Sequence, residues 1–167
     1  ELYSMPVQEI DKYYGEALDR KGLHIKDETV MLQRAEIDLN AAFIDLDLAG
    51  LKNERYELRF YNKLNEYISL VIDNEKQIFS FDRTRAGNTS FSEKFANTVS
   101  VTPFEDRYEK LNVKIWLDKA SIEIFIDQGD YVMTEIFFMN APIEKFSLKS
   151  WEEIQVNSLV ARPIKIK

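Results

Sequence analysis

The sequence predicts an all-β protein in which two antiparallel sheets pack face to face as a β-sandwich of the jelly-roll or lectin-like type. Three observations lead to this fold class. From about residue 22 onward, apolar and polar residues alternate with a period of two, as in strands that bury one face. Turn-forming residues separate these segments at short intervals. Aromatic residues, which favour strands, make up 13% of the 167 residues.

The beginning of the chain has a different pattern and is predicted to be a linker. Pro6 stands before a segment in which apolar residues recur at i, i+3 and i+4 from Ile10, the spacing of one face of a helix. Gly15 is a typical residue for the end of such a helix. We therefore expect residues 1–18 to form an inter-domain linker with a short helix, and residues 19–167 to form the sandwich. Because the chain does not begin with a methionine, we also expect a processed or excised piece.

About a dozen short strands are predicted in the rest of the chain. In most of them apolar residues fall on one side and polar residues on the other, and turn residues such as Gly, Pro, Asn or Asp separate the segments. The predicted strands cover residues 23–25, 31–39, 43–48, 56–60, 68–72, 79–81, 99–101, 111–117, 122–126, 132–138, 146–148 and 154–160.

One predicted hairpin has a register that can be stated in advance. If Lys119 and Ala120 form a two-residue loop, three apolar pairs fall on one side of the hairpin, and a slip of one residue would oppose apolar to polar residues throughout. Lys-Ala is not a preferred turn dipeptide, so this prediction depends on the strand pattern. The apolar pairs are Leu117–Ile122, Ile115–Ile124 and Val113–Ile126, and the remaining pairs are Asp118–Ser121, Trp116–Glu123 and Lys114–Phe125.

Composition and charge argue against several classes of function. The net charge is −7 and there is no basic stripe, which argues against a nucleic-acid partner. The chain has no cysteine and one histidine, His24, so a zinc site is not expected. No glycine-rich phosphate loop is present, and no apolar run approaches the roughly 20 residues that span a bilayer. We expect no cofactor, no metal and no membrane span.

Acidic residues raise the question of glycosidase chemistry. Asp118 and Glu123 fall on the same face at one end of the predicted hairpin, and glycosidases use two carboxylates about 5 to 10 Å apart. Polar residues on the solvent face of a strand pair are also what a half-exposed sheet requires, and we favour that interpretation.

The segment Phe81-Asp82-Arg83-Thr84-Arg85-Ala86-Gly87-Asn88 is more distinctive. Its arginine and aspartate could donate to and accept from sugar hydroxyls, or they could form a salt-bridged turn. On the residues alone the turn is the favoured interpretation.

This segment, followed by Phe91-Ser92, resembles the D-R-[ST]-x-[SA]-G…F-[ST] segment of the C-terminal module in glycoside hydrolase family 32, the invertases, levanases, inulinases and fructanases. Two further segments match in order. Leu117 to Phe125 resembles the D-x-[SA]-S-[VI]-E-[VI]-F segment, and Gly129 with Thr134 to Phe137 resembles the strand after it. Met5 to Ile10 is similar to the P-V-x-E-[LI] linker that leaves the catalytic domain. The resemblance runs from about Pro6 to near the C-terminus.

The resemblance implies a sandwich that follows a five-bladed catalytic propeller, which is missing here. The family's catalytic carboxylates lie in W-[MIL]-N-D-P-[NG], E-C and R-D-P motifs, and this chain contains none of them. No catalytic residue is therefore carried over, and the piece alone is expected to hydrolyse nothing. The substrate class implies an extracellular or periplasmic location, and an oligomer is possible.

Three roles fit these observations. The module could cover and stabilise its own N-terminal propeller, with residues 1–18 packed on that domain. It could bind fructan ends, and Arg83, Asp118 and Glu123 are then the candidate carbohydrate-binding residues. It could also be a lectin-like interaction domain of an unrelated protein. Free sugar binding separates the first two roles, and an upstream propeller with the carboxylate motifs separates both from the third.

Overall fold

The computed structural model describes residues 15–87 and 99–164, and every regular element within these ranges is a β-strand. All neighbouring strands pair antiparallel, so the all-β prediction is confirmed. The strands are β1 (Leu18–Gln33), β2 (Ala42–Ala49), β3 (Arg55–Asn62), β4 (Tyr67–Asp73), β5 (Ile78–Arg85), β6 (Ser100–Pro103), β7 (Lys110–Leu117), β8 (Ser121–Ile126), β9 (Tyr131–Ile136) and β10 (Ile143–Pro163).

The short helix predicted in the linker falls mainly on residues that lie outside the described ranges. Of the predicted linker, residues 15–17 have no regular structure and Leu18 begins β1. The division of the chain at residue 18 remains a prediction.

Two long strands, β1 and β10, belong to both layers of the sandwich. Residues 143–150 of β10 pair with β3, residues 155–163 pair with β2, and β1 pairs with β10 along both stretches. The ten strands therefore divide into a first sheet, β6-β5-β4-β3-β10-β1, and a second sheet, β1-β10-β2-β7-β8-β9. The register of β1 shifts between Ile25 and Asp27, where the two sheets meet, and Asp27 has a φ of 61°.

The core lies between the two sheets and is built by the alternation that the sequence shows. On β7, for example, residues 111, 113, 115 and 117 are at most 2% exposed, while the residues between them are only partly buried. Burial of such a side chain contributes about 1.5–3 kcal/mol. Aromatic rings connect the layers: Phe79 on β5 meets Tyr131 on β9 at a centroid distance of 5.4 Å, edge to face.

The predicted register of the β7–β8 hairpin is confirmed. Leu117 faces Ile122, Ile115 faces Ile124 and Val113 faces Ile126. All three pairs are in the core, which explains why this register is specified by the apolar pattern.

Several predicted strand boundaries are wrong: β1 also joins the segments predicted at 23–25 and 31–39, and the strand predicted over 132–138 ends at Ile136. The strand predicted over 31–39 ends at Gln33, and residues 34–41 form turns. Ile37 and Leu39 are buried, at 6% and 0% exposure. They belong to a turn that inserts into the core, so this segment shows a period of two although it is not a strand. The segments predicted at 146–148 and 154–160 are parts of one strand, β10, because no turn interrupts the backbone between the two sheets.

Asn74 connects three loops at one end of the sandwich. Its Nδ2 donates to the carbonyls of Lys52, 2.8 Å, and Tyr108, 2.7 Å, while its Oδ1 accepts from the Tyr108 amide at 2.9 Å. The residue is 1% exposed, so each of these bonds satisfies a buried polar group. The β2–β3, β4–β5 and β6–β7 connections are therefore held together at this end.

Candidate functional site

Arg83, the first of the predicted carbohydrate-binding residues, lies between the two sheets. It is on β5, and its Nη1 is 2.8 Å from Oε1 of Glu135 on β9. The same nitrogen donates a hydrogen bond of 3.1 Å to the carbonyl of Ile136. The two side chains of the ion pair are 11% and 12% exposed. A salt bridge exists, as the structural interpretation of this segment expected, but it joins two strands from different sheets rather than neighbouring residues.

Glu135 faces inward from a strand at the edge of its sheet. It stands opposite Ile122, which is fully buried, and among the strands of residues 15–87 and 99–164 β9 has a neighbour on one side only. An inward-pointing charge is one way in which natural sheets discourage edge-to-edge association. The carboxylate is compensated here by the guanidinium of the facing sheet.

Gly87, at the end of the same segment, packs against the β9–β10 connection. A Cβ placed on Gly87 would lie 2.4 Å from the carbonyl oxygen of Phe138 and 3.0 Å from Cα of Met139. Its φ is +100°, a backbone conformation that residues other than glycine rarely adopt. We call the Arg83–Glu135 ion pair, together with the contact of Gly87 on residues 138–139, the latch.

Asp82 has a local role in the same segment. Its Oδ1 accepts hydrogen bonds from the backbone amide of Thr84, 2.8 Å, and from its hydroxyl, 2.7 Å. The amide of Ala86 then bonds to the carbonyl of Arg83 at 3.0 Å. The aspartate thus shapes the backbone that places the latch arginine.

A carboxylate clamp lies beside the latch. Oε1 of Glu66 accepts from Nδ2 of Asn62 and the amide of Asn140, both at 2.8 Å, and Oε2 accepts from Nδ2 of Asn140 at 2.7 Å. Burial is the largest single influence and opposes ionisation, but the hydrogen bonds from Asn62 and Asn140 together outweigh it and lower the pKa of Glu66. The clamp fixes the β9–β10 connection on the β3–β4 turn.

The lowered pKa predicts how stability changes with acid. A carboxyl group whose folded-state pKa is depressed stabilises the fold above its unfolded pKa, near 4.5, and this contribution is lost as the pH falls through the folded pKa. Glu66→Gln is therefore expected to lower the free energy of unfolding at pH 7, with a difference from wild type that shrinks below about pH 4.5. Urea unfolding at several pH values measures this, and a difference independent of pH would contradict it.

Asp118, the second predicted site residue, closes the β7–β8 turn. Its Oδ1 accepts from the amides of Ala120 and Ser121, each at 2.8 Å, and its own amide bonds to the carbonyl of Ser121 at 3.0 Å. Neither Lys119 nor Ala120 has a positive φ. Aspartate at the first position of a turn with negative φ values is favoured, which explains why Lys-Ala is tolerated in this loop.

Asp118 and Glu123 line one groove on the outer face of the second sheet. This second-sheet groove has a volume of about 380 Å³. One wall carries Trp116, whose ring lies 4.4 Å from that of Phe43 and 5.0 Å from that of Phe125, measured between centroids. The lining residues are Ala41, Trp116, Leu117, Asp118, Ser121, Glu123, Thr134 and Ile164.

The structure thus brings together two of the three predicted residues. Glu123 is exposed in the second-sheet groove next to Asp118. Arg83 does not line that groove, since its guanidinium lies between the sheets. A carbohydrate-binding role for the three residues stays a prediction.

A second polar groove lies on the outer face of the first sheet, and the sequence reasoning did not find it. This first-sheet groove has a volume of about 340 Å³ and is lined by Glu28, Arg59, Tyr61, Asn65 and Tyr67. A small depression of about 30 Å³ adjoins it and shares Glu28 and Arg59. The alternation Glu57, Arg59, Tyr61 along β3 is a signal for a polar outer face, but it does not show which residues of β1 and β4 stand beside it.

Other types of site find no support among residues 15–87 and 99–164. No three histidine, aspartate or glutamate side chains in those ranges are arranged to hold a metal ion. No helix in the same part of the chain is long and apolar enough to cross a membrane.

Comparison with known proteins assigns this sandwich to a class and then to a family. Its fold matches one part of each of two longer solved enzymes. The solved exo-inulinase of Aspergillus awamori superposes with a TM-score of 0.75 at 20% identity, covering 97% of this chain and 32% of that one. Sucrose-6-phosphate hydrolase of Lactobacillus gasseri gives 0.75 at 18% identity, covering 98% and 31%.

The family model described as "Glycosyl hydrolases family 32 C terminal" matches residues 9–163. The chain belongs to this family, which confirms the resemblance found in the three motifs. Sucrose-6-phosphate hydrolase of Vibrio alginolyticus is 29% identical over 131 residues, covering 78% of this chain and 25% of that protein. The extracellular exo-inulinase of Aspergillus awamori is 31% identical over 81 residues, covering 48% and 15%. The chain therefore spans about a quarter or less of the length of these two relatives.

Proposed function

We propose that this chain is the non-catalytic C-terminal module of a β-fructosidase and that it packs on the catalytic propeller domain of the same protein. The observation that carries the proposal is the family match over residues 9–163 in a chain that lacks the three carboxylate motifs. Without a leaving-group acid and a nucleophile on opposite sides of a glycosidic bond, hydrolysis has no catalyst.

The outer face of the second sheet is the proposed docking face for the catalytic domain. The chain enters the sandwich next to this face, because the amide of Gly15 bonds to the carbonyl of Pro163 at 2.7 Å. The next residue, Ile164, bonds to Ala41 at 2.9 Å, and both line the second-sheet groove. A domain that precedes Gly15 is therefore tethered beside the groove.

Exposed apolar residues on the same face support this assignment. Val132 and Ile136 on β9 are 41% and 44% exposed, and both point away from the core because Met133 between them points into it. Both flank Thr134, which lines the second-sheet groove, so apolar side chains border the groove on this strand, as on a surface that a partner covers. These relatives are about three times as long as this chain and contain the additional polypeptide that would cover it.

The docking face predicts an effect in the full-length protein. Ile136→Lys is expected to weaken packing of the sandwich on the catalytic domain and to lower the unfolding midpoint of the full-length protein by about 2 °C or more. The reason is that a charge in an apolar interface costs at least about 1 kcal/mol. Val101→Lys is the matched control, since Val101 is 56% exposed on β6 at the far edge of the first sheet. Differential scanning calorimetry measures both. An equal effect of the two substitutions, or no effect of Ile136→Lys, would contradict the docking face.

The absence of catalysis is tested on the 167-residue chain itself. Incubation with sucrose, inulin or levan is expected to release no fructose. Hydrolysis by the purified chain would contradict the proposal. We further propose an extracellular or periplasmic location, supported by the relative that is named an extracellular exo-inulinase.

A further inference from the structure

We propose that the first-sheet groove is a saccharide-binding site that takes a neutral sugar residue of a fructan chain. The groove combines two tyrosine rings with a guanidinium, a carboxylate and an amide on one open face. Sites for small polar ligands typically pair aromatic surface with a few placed polar groups. The choice of fructans as the ligand class rests on the proposed function, whereas the location of the site rests on the groove alone.

Arg59 is held in one orientation before any ligand arrives. Its Nε and Nη2 donate to Oε2 of Glu57 at 2.9 and 2.8 Å. The guanidinium carbon stands 3.9 Å from the ring centroid of Tyr67 on the neighbouring strand. Because Nη1 makes neither of the two bonds to Glu57, a fixed donor remains for a sugar hydroxyl. A side chain fixed by such contacts loses little entropy when a ligand binds.

The remaining polar groups are also positioned by the fold. Oε2 of Glu28 accepts from the hydroxyl of Ser147 at 3.1 Å, and Glu28 is close enough to Arg59 and Tyr61 to influence both of their pKa values. Asn65 has a φ of 61°, and its amide bonds back to the Asn62 carbonyl at 3.1 Å. The turn thus presents the Asn65 side chain at the rim of the groove.

The tyrosines supply apolar ring surface and neutral hydroxyls. Tyr61 and Tyr67 stand directly opposite each other on β3 and β4. Burial, reinforced by the charge of Glu28, raises the pKa of Tyr61, so its hydroxyl stays protonated at neutral pH and can both donate and accept. The Tyr61 ring offers apolar surface for the C–H face of a sugar ring, while the Tyr67 ring beside it is stacked with the Arg59 guanidinium.

The balance of charge favours an uncharged ligand. The groove and the adjoining depression contain two carboxylates, Glu28 and Glu57, and two cations, Arg59 and Lys149. A site for a phosphate group would concentrate cations without acidic neighbours. Donors and acceptors in equal supply match vicinal hydroxyls instead.

The first-sheet groove also faces away from the proposed docking face. It lies on the outer side of the first sheet, whereas the proposed docking face is the outer side of the second. A fructan chain held there would be bound by the same polypeptide that cleaves it, at a distance from the cleavage site.

Titration of the 167-residue chain with 1-kestose and with short inulin and levan oligosaccharides tests the proposal. A site of this size is expected to bind in the millimolar range, so ligand is raised to tens of millimolar in an NMR or calorimetric titration. Glu28→Ala and Asn65→Gly are each expected to raise Kd at least tenfold. Asn65→Gly removes the amide while the glycine keeps the positive φ of the turn, so it carries the test if Glu28→Ala fails to fold.

Glu75→Ala is the matched acidic control, an exposed glutamate in the β4–β5 turn at the opposite end of β4 from Tyr67, and is expected to leave Kd unchanged. Loss of binding in Glu123→Ala with retention in Glu28→Ala would overturn the proposal and place the sugar in the second-sheet groove. The absence of saturable binding by the wild-type chain would overturn it as well. Neither result bears on the calorimetric test of the docking face or on the hydrolysis assay, which use no residue of the first-sheet groove.

Discussion

Arg83→Met is expected to destabilise the chain by about 3 kcal/mol, because it leaves the carboxylate of Glu135 buried without its cation. Both side chains of the pair are largely buried, with exposures of 11% and 12%, and Nη1 of Arg83 is 2.8 Å from Oε1 of Glu135. Methionine keeps most of the apolar stem of arginine, so the change removes charge rather than volume. Chemical unfolding monitored by circular dichroism measures the loss.

A matched control exists on the surface. Arg34 and Glu144 form an ion pair of similar length, 2.9 Å, but their side chains are 48% and 34% exposed. Arg34→Met is expected to cost about 0–1 kcal/mol, as exposed pairs do. Similar losses for the two substitutions would show that burial of the Arg83 pair has no energetic consequence.

Gly87→Ala is expected to lower the free energy of unfolding by about 3 kcal/mol or more. The new methyl group would lie 2.4 Å from the Phe138 carbonyl oxygen and 3.0 Å from Cα of Met139, and backbone atoms cannot move aside as a flexible side chain can. The positive φ adds a cost of about 1–3 kcal/mol for any residue with a Cβ.

Gly22→Ala separates the two contributions. Gly22 also has a positive φ, +63°, but a Cβ there would meet nothing within 4 Å. Its substitution should therefore report the backbone strain alone, about 1 kcal/mol. If Gly87→Ala lowers the free energy of unfolding no more than Gly22→Ala does, the close contact between Gly87 and the β9–β10 connection adds nothing to the cost of the substitution.

Arg83→Met and Gly87→Ala both change residues of the motifs that carry the family resemblance. Arg83 and Gly87 come from the first motif, and Glu135 comes from the third. In the structure they form the latch, and Asp118 of the second motif closes a turn. The motifs therefore mark places where the sandwich needs a particular residue to close, which explains their value for recognising the family in a chain that lacks the catalytic motifs.

The sequence was sufficient for those features of the fold that depend on local patterns. The alternation on β7 and β8 specified a hairpin register that the structure confirms pair by pair. It was insufficient where alternation had another cause: Ile37 and Leu39 are buried from a turn. The sequence pattern also predicted two strands where the structure has the single strand β10, because the exposed residues 151–153 at the bend resemble a loop.

The candidate sites depended on long-range neighbours and were harder to predict. Asp118 and Glu123 share a groove because they flank one turn, a local relation that the hairpin register shows. The partner of Arg83 is 52 positions along the chain and on the other sheet, so the sequence suggested a salt bridge without identifying Glu135. The first-sheet groove needs β1, β3 and β4 side by side, an arrangement that no local pattern specifies.

A double-mutant cycle on Arg83 and Glu135 tests most directly whether the family motifs serve the architecture of the sandwich. The cycle compares the free energies of unfolding of Arg83→Met, Glu135→Met and the double variant with that of wild type. A latch predicts that the double variant is less destabilised than either single variant, with a coupling of about 2 kcal/mol or more, because two methionines leave no buried charge. Additive losses, with no coupling between the two positions, would contradict the latch.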